Sequence, residues 1–83
     1  MELAEKLKAI RIGEGLTQTQ LCEATGINLS TYKKYELSLR TEISSIALLR
    51  ITNNPRFKKY TLWLMTDEIA PACGQVSPRS DPA

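Results

Sequence analysis

Residues 17–36 read TQTQLCEATGINLSTYKKYE, and the punctuation of this stretch decides the fold. Thr17 with Gln20 three positions later is a capping box, in which each side chain meets the other's unpaired backbone amide. A short helix over about 18–25 follows, presenting Leu21 and Ala24, with Cys22 small enough for close packing. Gly26 stops it. Asn28 is a suitable N-cap for a further helix over about 29–37, which carries Tyr32 and Tyr35 on its inner face. Two short helices joined through TGIN, with a glycine where the backbone must turn, cross at a steep angle.

The flanks extend this pattern. Upstream, Leu3, Leu7 and Ile10 recur at helical spacing over about 2–13, and Gly13 and Gly15 break the run. Downstream, a fourth helix over about 44–53 draws on Ile43, Ile46, Ala47, Leu49 and Ile51. Asn54-Pro55 reads as a stop and restart, and a fifth helix over about 55–66 holds PRFKKYTLWLMT. From Ala70 the composition changes to APACGQVSPRSDPA, punctuated by Pro71, Pro78 and Pro82. This reads as a flexible tail over 70–83 behind a domain at 1–69. No segment alternates as a half-buried strand does, so the fold class is all-α.

Composition narrows the function. A chain of 83 residues, 42% apolar and 24% charged, fits one small globular domain. It has no apolar run of membrane-spanning length, and the N-terminus lacks the basic-then-apolar order of a secretory signal. A cytoplasmic protein with no membrane partner is the expectation. Histidine is absent, which removes the commonest general base and metal ligand. Cys22 and Cys73 lie far apart without companion ligands, so neither a zinc site nor, in a reducing cytosol, a disulfide is expected. No glycine-rich phosphate loop is present. These absences argue against an enzyme and against any cofactor or metal. The net charge of +2 is compatible with nucleic acid but is too small to establish it.

A helix pair of this kind packs its first helix on the body and holds the second outward. A protruding helix N-terminus fits the major groove of double-stranded DNA, and its unpaired amides suit phosphate. The stretch LKAIRIGEGLTQTQLCEATGINLSTYKKYE, Leu7 to Glu36, resembles the Cro/phage-repressor (XRE-type) helix-turn-helix. That family also shows an arginine, then G-L-T-Q, a glycine turn, and a helix ending Tyr-x-x-Tyr-Glu. The resemblance covers about residues 3–66, is tightest over the motif at about 17–37, and implies a five-helix lambda-repressor-like DNA-binding domain.

The resemblance also implies roles. Gln18 falls where the family grips a phosphate, and Arg40, just past the recognition helix, where phosphate is often contacted. Leu29, Ser30 and Lys34 fall at base-reading positions, flanked by Asn28 and Thr31. Lys33 is expected on phosphate. Leu29 is apolar where relatives often carry glutamine; placed facing away from Tyr32, it suits a thymine methyl. Arg11 and Glu36 match a pair that ties helix one to the end of helix three. Ser38 stands where a glycine commonly ends the recognition helix, so a different ending is expected there.

The expected activity is that of a transcriptional regulator, a repressor occupying an operator. An antitoxin covering a toxin, and an excisionase-like accessory DNA-binding protein, are the alternatives. In helix five, a continuous α-helical count puts Phe57, Tyr60, Thr61 and Leu64 toward the core. It leaves Leu62, Trp63 and Met65 for a homodimer interface, so that two recognition helices would read an inverted repeat. In the nucleoid-associated protein so envisaged, Cys22 is buried between the motif helices and Cys73 is exposed on the tail.

Overall fold

The computed structural model describes residues 2–39 and 42–78, and along them the spacing and capping signals yield five α-helices. They are α1 (Leu3–Gly13), α2 (Gln18–Thr25), α3 (Leu29–Glu36), α4 (Ser45–Thr52) and α5 (Thr61–Thr66). Single 3₁₀ turns at Lys58–Tyr60 and Pro71–Cys73 precede and follow α5. Leu7, Ile10, Leu21, Tyr32, Ile51 and Phe57 are the most deeply buried large side chains. Each such aliphatic or aromatic group contributes roughly 1.5–3 kcal/mol by leaving water. They come from both halves of the chain, so α3 rests on α1 and α2 while α4 and α5 close the core from the other side.

Local chemistry sets the helix ends in the first half. The Gln20 backbone amide donates to the Thr17 hydroxyl at 3.1 Å and the Thr17 amide to the Gln20 side-chain oxygen Oε1 at 2.9 Å, completing the capping box. Gly26 ends α2 with φ 76°, and the Asn28 side chain accepts from the Thr31 amide at 3.2 Å to start α3. Contrary to expectation, α3 ends as a glycine-terminated helix would. Ser38 adopts φ 60°, its amide donates to the Tyr35 carbonyl, and the Leu39 amide reaches back to the Lys34 carbonyl. Those two bonds satisfy carbonyls at the helix end and hold Ser38 in the left-handed region without a glycine.

The second half departs from the sequence reading in two places. Residues 55–66 do not form one helix. The Asn54 side chain accepts from the Arg56 amide at 2.9 Å, and the Phe57 and Lys58 amides both donate to the Asn54 carbonyl. This Asx-type turn leads through the 3₁₀ turn into α5, which starts only at Thr61. The change of pitch shifts the helical phase, so Trp63 is buried beside Leu64 instead of facing outward.

The expected start of a flexible tail at Ala70 is also corrected, since the chain folds back as far as Pro78. Ala70 and Gln75 exchange two backbone hydrogen bonds, and the Val76 amide donates to the Lys59 carbonyl at 2.9 Å. The Gln75 side-chain oxygen Oε1 accepts from the Leu62 amide at 2.9 Å, capping a helix whose own N-cap residue, Tyr60, supplies no side-chain bond. Val76 packs on the core and Pro78 lies against Gly13. Proline-rich composition alone does not show such a segment, because its partners are backbone groups of another element. Residues 79–83 lie outside the described residues.

Two polar clusters tie the halves together. The buried Lys6 ammonium donates to the Trp63 and Leu64 carbonyls at 3.2 and 3.1 Å and pairs with Asp67 at 2.8 Å. A cation there serves the unpaired carbonyls and negative end of α5. The nearly buried Glu14 carboxylate accepts from Arg56 at 2.8 Å and from the Tyr60 hydroxyl at 2.6 Å, with Lys59 at 3.1 Å. Burial raises the carboxyl's pKa, but the Tyr60, Arg56 and Lys59 donors outweigh it and bring it to about 2.

Candidate nucleic-acid interface

Helix α3 turns Tyr32 and Tyr35 into the core, which fixes what its other faces can do. Ser30, Lys33 and Lys34 are exposed along it, Thr31 is half-buried, and Asn28 is exposed at its start. Because the Asn28 carbonyl oxygen is used on the Thr31 amide, its NH₂ group is the part left to donate outward. Leu29 is placed differently from expectation. It is half-buried and packs against the core, since residues three apart on a helix are neighbours and Tyr32 is buried. Arg40 lies outside the described residues.

Behind α3, Arg11 and Glu36 meet in a two-pronged pair. Nε donates to one carboxylate oxygen at 2.8 Å and Nη2 to the other at 3.0 Å, while Nη1 donates to the Leu16 carbonyl at 3.1 Å. The Glu36 side chain is only 4% exposed. Burial pushes its pKa up, but Arg11, the Tyr32 hydroxyl and Gln18 together hold it below the usual range. Burial and the Glu36 carboxylate in turn push the Tyr32 phenol well above its ordinary value. Gln18, first residue of α2, donates from its side chain to Glu36 at 3.3 Å. One amide hydrogen of Gln18 is thereby held inward and the other is left for a ligand.

Near this face stand Lys8 and Arg50, which the sequence does not single out, and Asn54, which it marks only as a helix boundary. Lys8 is exposed and shares with Gln18 and Leu37 a depression of about 430 Å³. Arg50 of α4 donates from Nη1 to the Gly26 carbonyl, and Asn54 donates to the Ala24 carbonyl at 3.0 Å, so both grip the turn between α2 and α3. For Lys8 and Arg50 no sequence spacing signals a role. For Lys6, behind them, a signal existed: it falls three residues from Leu3 and one turn before Ile10, on the apolar face, where a charge requires a partner.

The fold and the outward face of α3 define a helix-turn-helix module. A helix-turn-helix family model matches residues 7–55, more than half of the chain. The chain is also 38% identical over 76 residues to the repressor protein C of Escherichia phage P2, covering 92% of this chain and 76% of that protein. The chain belongs to the helix-turn-helix family, among its Cro/phage-repressor-like (XRE-type) regulators. Among the described residues no helix is long and apolar enough to cross a membrane.

Proposed function

We propose that the chain is a transcriptional repressor that binds an operator in double-stranded DNA as a homodimer. The observation that carries this reading is the outward row on α3, where Ser30, Lys33 and Lys34 are exposed while Tyr32 and Tyr35 anchor the helix from behind. Ser30 and Lys34, with Thr31 and the Asn28 NH₂ group beside them, read base edges in the major groove. Lys33 and Gln18 set position on phosphates, joined by Arg40. The contribution of Leu29 is confined to the edge it leaves exposed. The similarity to a phage repressor agrees with this assignment.

With Trp63 in the core, the pairing surface is read around Met65, which is 56% exposed, and the half-buried Leu62. Both line an apolar cavity of about 590 Å³ with Ala70 and Cys73. Leu49 and Ile69, one on α4 and one just past α5, are exposed as well. A second copy covering this face by two-fold symmetry sets the recognition helices about 34 Å apart, one DNA turn.

Selection of bound sequences from random duplexes, followed by titration with salt, tests the reading. An inverted repeat should emerge, and affinity for it should fall steeply with salt as phosphate contacts release counterions. Sedimentation of the wild type and of Met65→Glu tests the pairing: the variant should be a folded monomer with weaker operator binding. Enrichment of no sequence, together with salt-independent binding, would overturn the DNA assignment. A wild-type chain that stays monomeric on DNA would overturn the two-fold arrangement.

A further inference from the structure

The segment that aims the recognition helix is held from outside the helix-turn-helix. Helix α2 ends at Thr25, and its last carbonyls have no partner within the helix. Two of the carbonyls at this end are taken by the second half of the chain, Ala24 by the Asn54 side chain and Gly26 by the Arg50 guanidinium. The approach at Gly26 is close, since a Cβ there would sit 3.3 Å from Arg50 Nη1. Two residues later Asn28 caps α3, and Ser30 follows within its first turn.

The holding side chains are themselves anchored. Arg50 precedes Ile51, which with Ala47 roots α4 in the core. Asn54 is fixed by the Arg56 amide on its other side. A displacement of the turn therefore requires α4 or the Asn54 turn to move. Because Arg50 is exposed and Asn54 half-buried, water can replace either donor at small loss of stability. It cannot replace the fixed direction. Side-chain hydrogen bonds of this kind hold a recognition element within the sub-ångström tolerance that base readout needs.

We propose that Arg50 and Asn54 are positioning residues for DNA recognition, acting through the Gly26 and Ala24 carbonyls to set the angle at which α3 enters the groove. The proposal rests on the operator-binding reading above. It separates specificity from general affinity: the turn decides whether Ser30 and Lys34 meet their bases, whereas phosphate contacts elsewhere on the surface are unaffected.

The test compares the selected operator with a scrambled duplex, using Arg50→Met, Arg50→Lys and Asn54→Ala in the full chain. Asn54→Ala changes no charge, so its effect on binding cannot come from lost attraction to phosphate. Because it also removes the acceptor of the Arg56 amide, Asn54→Asp, which keeps that acceptor and loses the donor to Ala24, is the companion variant. Arg50→Met and Asn54→Ala should each weaken operator binding by about tenfold, the scale of one charge-assisted or well-placed hydrogen bond. Scrambled-duplex affinity and the salt slope should hold, and Arg50→Lys should recover part of the loss. In the DNA-free chain, amide exchange at Ile27–Leu29 should accelerate in both loss variants while the melting transition is retained. Equal losses on both duplexes, with a salt slope reduced by about one, would make Arg50 a phosphate contact and overturn the proposal. Unchanged operator affinity would overturn it too. If the wild type does not discriminate between duplexes, the operator reading fails separately. The exchange measurement then still decides whether these side chains hold the turn, and unchanged exchange rejects the proposal on its own.

Discussion

Residues 2–39 and residues 42–78 are built by different means. In the first half the ends of α2 and α3 are set chiefly by residues within a few positions: Thr17 with Gln20, Gly26, Asn28 with Thr31, and Ser38 with Tyr35. In the second half the start of α4, where the Ala47 amide donates to the Ser44 hydroxyl, the Asn54 turn and the end of α5 at Asp67 are local in this way, but the supports of α5 are not. Helix α5 is six residues long, too short to persist alone; the Asp67 amide closes its end on the Trp63 carbonyl, and side chains from afar serve both of its turns. Gln75 serves its first turn and Lys6 its last. The half that presents the recognition helix is thus specified mostly locally, apart from the Asn54 and Arg50 bonds at the end of α2, and the half that supports it relies more on long-range polar contacts.

The largest expected effect tests how far the first half depends on a pair 25 positions apart in the chain. Arg11→Met leaves the Glu36 carboxylate, 4% exposed, without its main partner. The loss should be about 3–5 kcal/mol, a large share of the roughly 5–15 kcal/mol available to a small domain. Urea unfolding measures it, and Arg11→Met with Glu36→Gln should lose less than the sum of the two single changes. Additive losses would show that the pair does not act as a unit.

A smaller effect should sharpen the contrast from the other side. Glu14 joins the end of α1 to Arg56, Lys59 and Tyr60, and its pKa of about 2 lies below the unfolded carboxylate value. A depressed pKa gives stability that is present above the unfolded value of roughly 4.3 and lost as pH falls through the folded value. Wild type should therefore exceed Glu14→Gln by about 2 kcal/mol at pH 7, the difference shrinking below pH 4 and nearly vanishing by pH 2. Thermal unfolding of both across that range is the measurement. A gap that persists unchanged to pH 2 would mean the glutamine disturbs packing and not charge.

The same division explains what could be read from the chain in advance. The boundaries of α2 and α3 were legible to within about a residue because caps and glycine act at short range. The Arg11–Glu36 pair was legible only through family resemblance, since nothing local links positions on different helices. Trp63 was misplaced because a helical count started at Phe57 ignores the 3₁₀ turn that rephases α5. Residues 70–78 were misjudged because proline and glycine reveal where a chain bends and not what it bends onto. Asn54 was legible as a helix boundary, but its grip on Ala24, like that of Arg50 on Gly26, carries no local signature, since the partners are backbone carbonyls some 30 and 24 positions away.

Ser38, at the junction of the two halves, is expected to give the smallest effect. Its φ of 60° strains an L-residue, yet the side chain is exposed and the two backbone bonds closing α3 need no hydroxyl. Ser38→Gly removes a strain of roughly 1–2 kcal/mol but adds about 0.4–1 kcal/mol of unfolded-state entropy. The net should be a gain of about 0.5 kcal/mol, or a rise of about 2–4 °C in Tm. Ser38→Val, with a branched side chain in the same region, should lower Tm. Operator affinity should stay within about twofold for the glycine variant, because Lys33 and Lys34 precede the closure and the helix still ends on the same carbonyls. If glycine lowers Tm instead, the serine hydroxyl contributes a contact that offsets its strained backbone, and this helix end is not closed by backbone bonds alone.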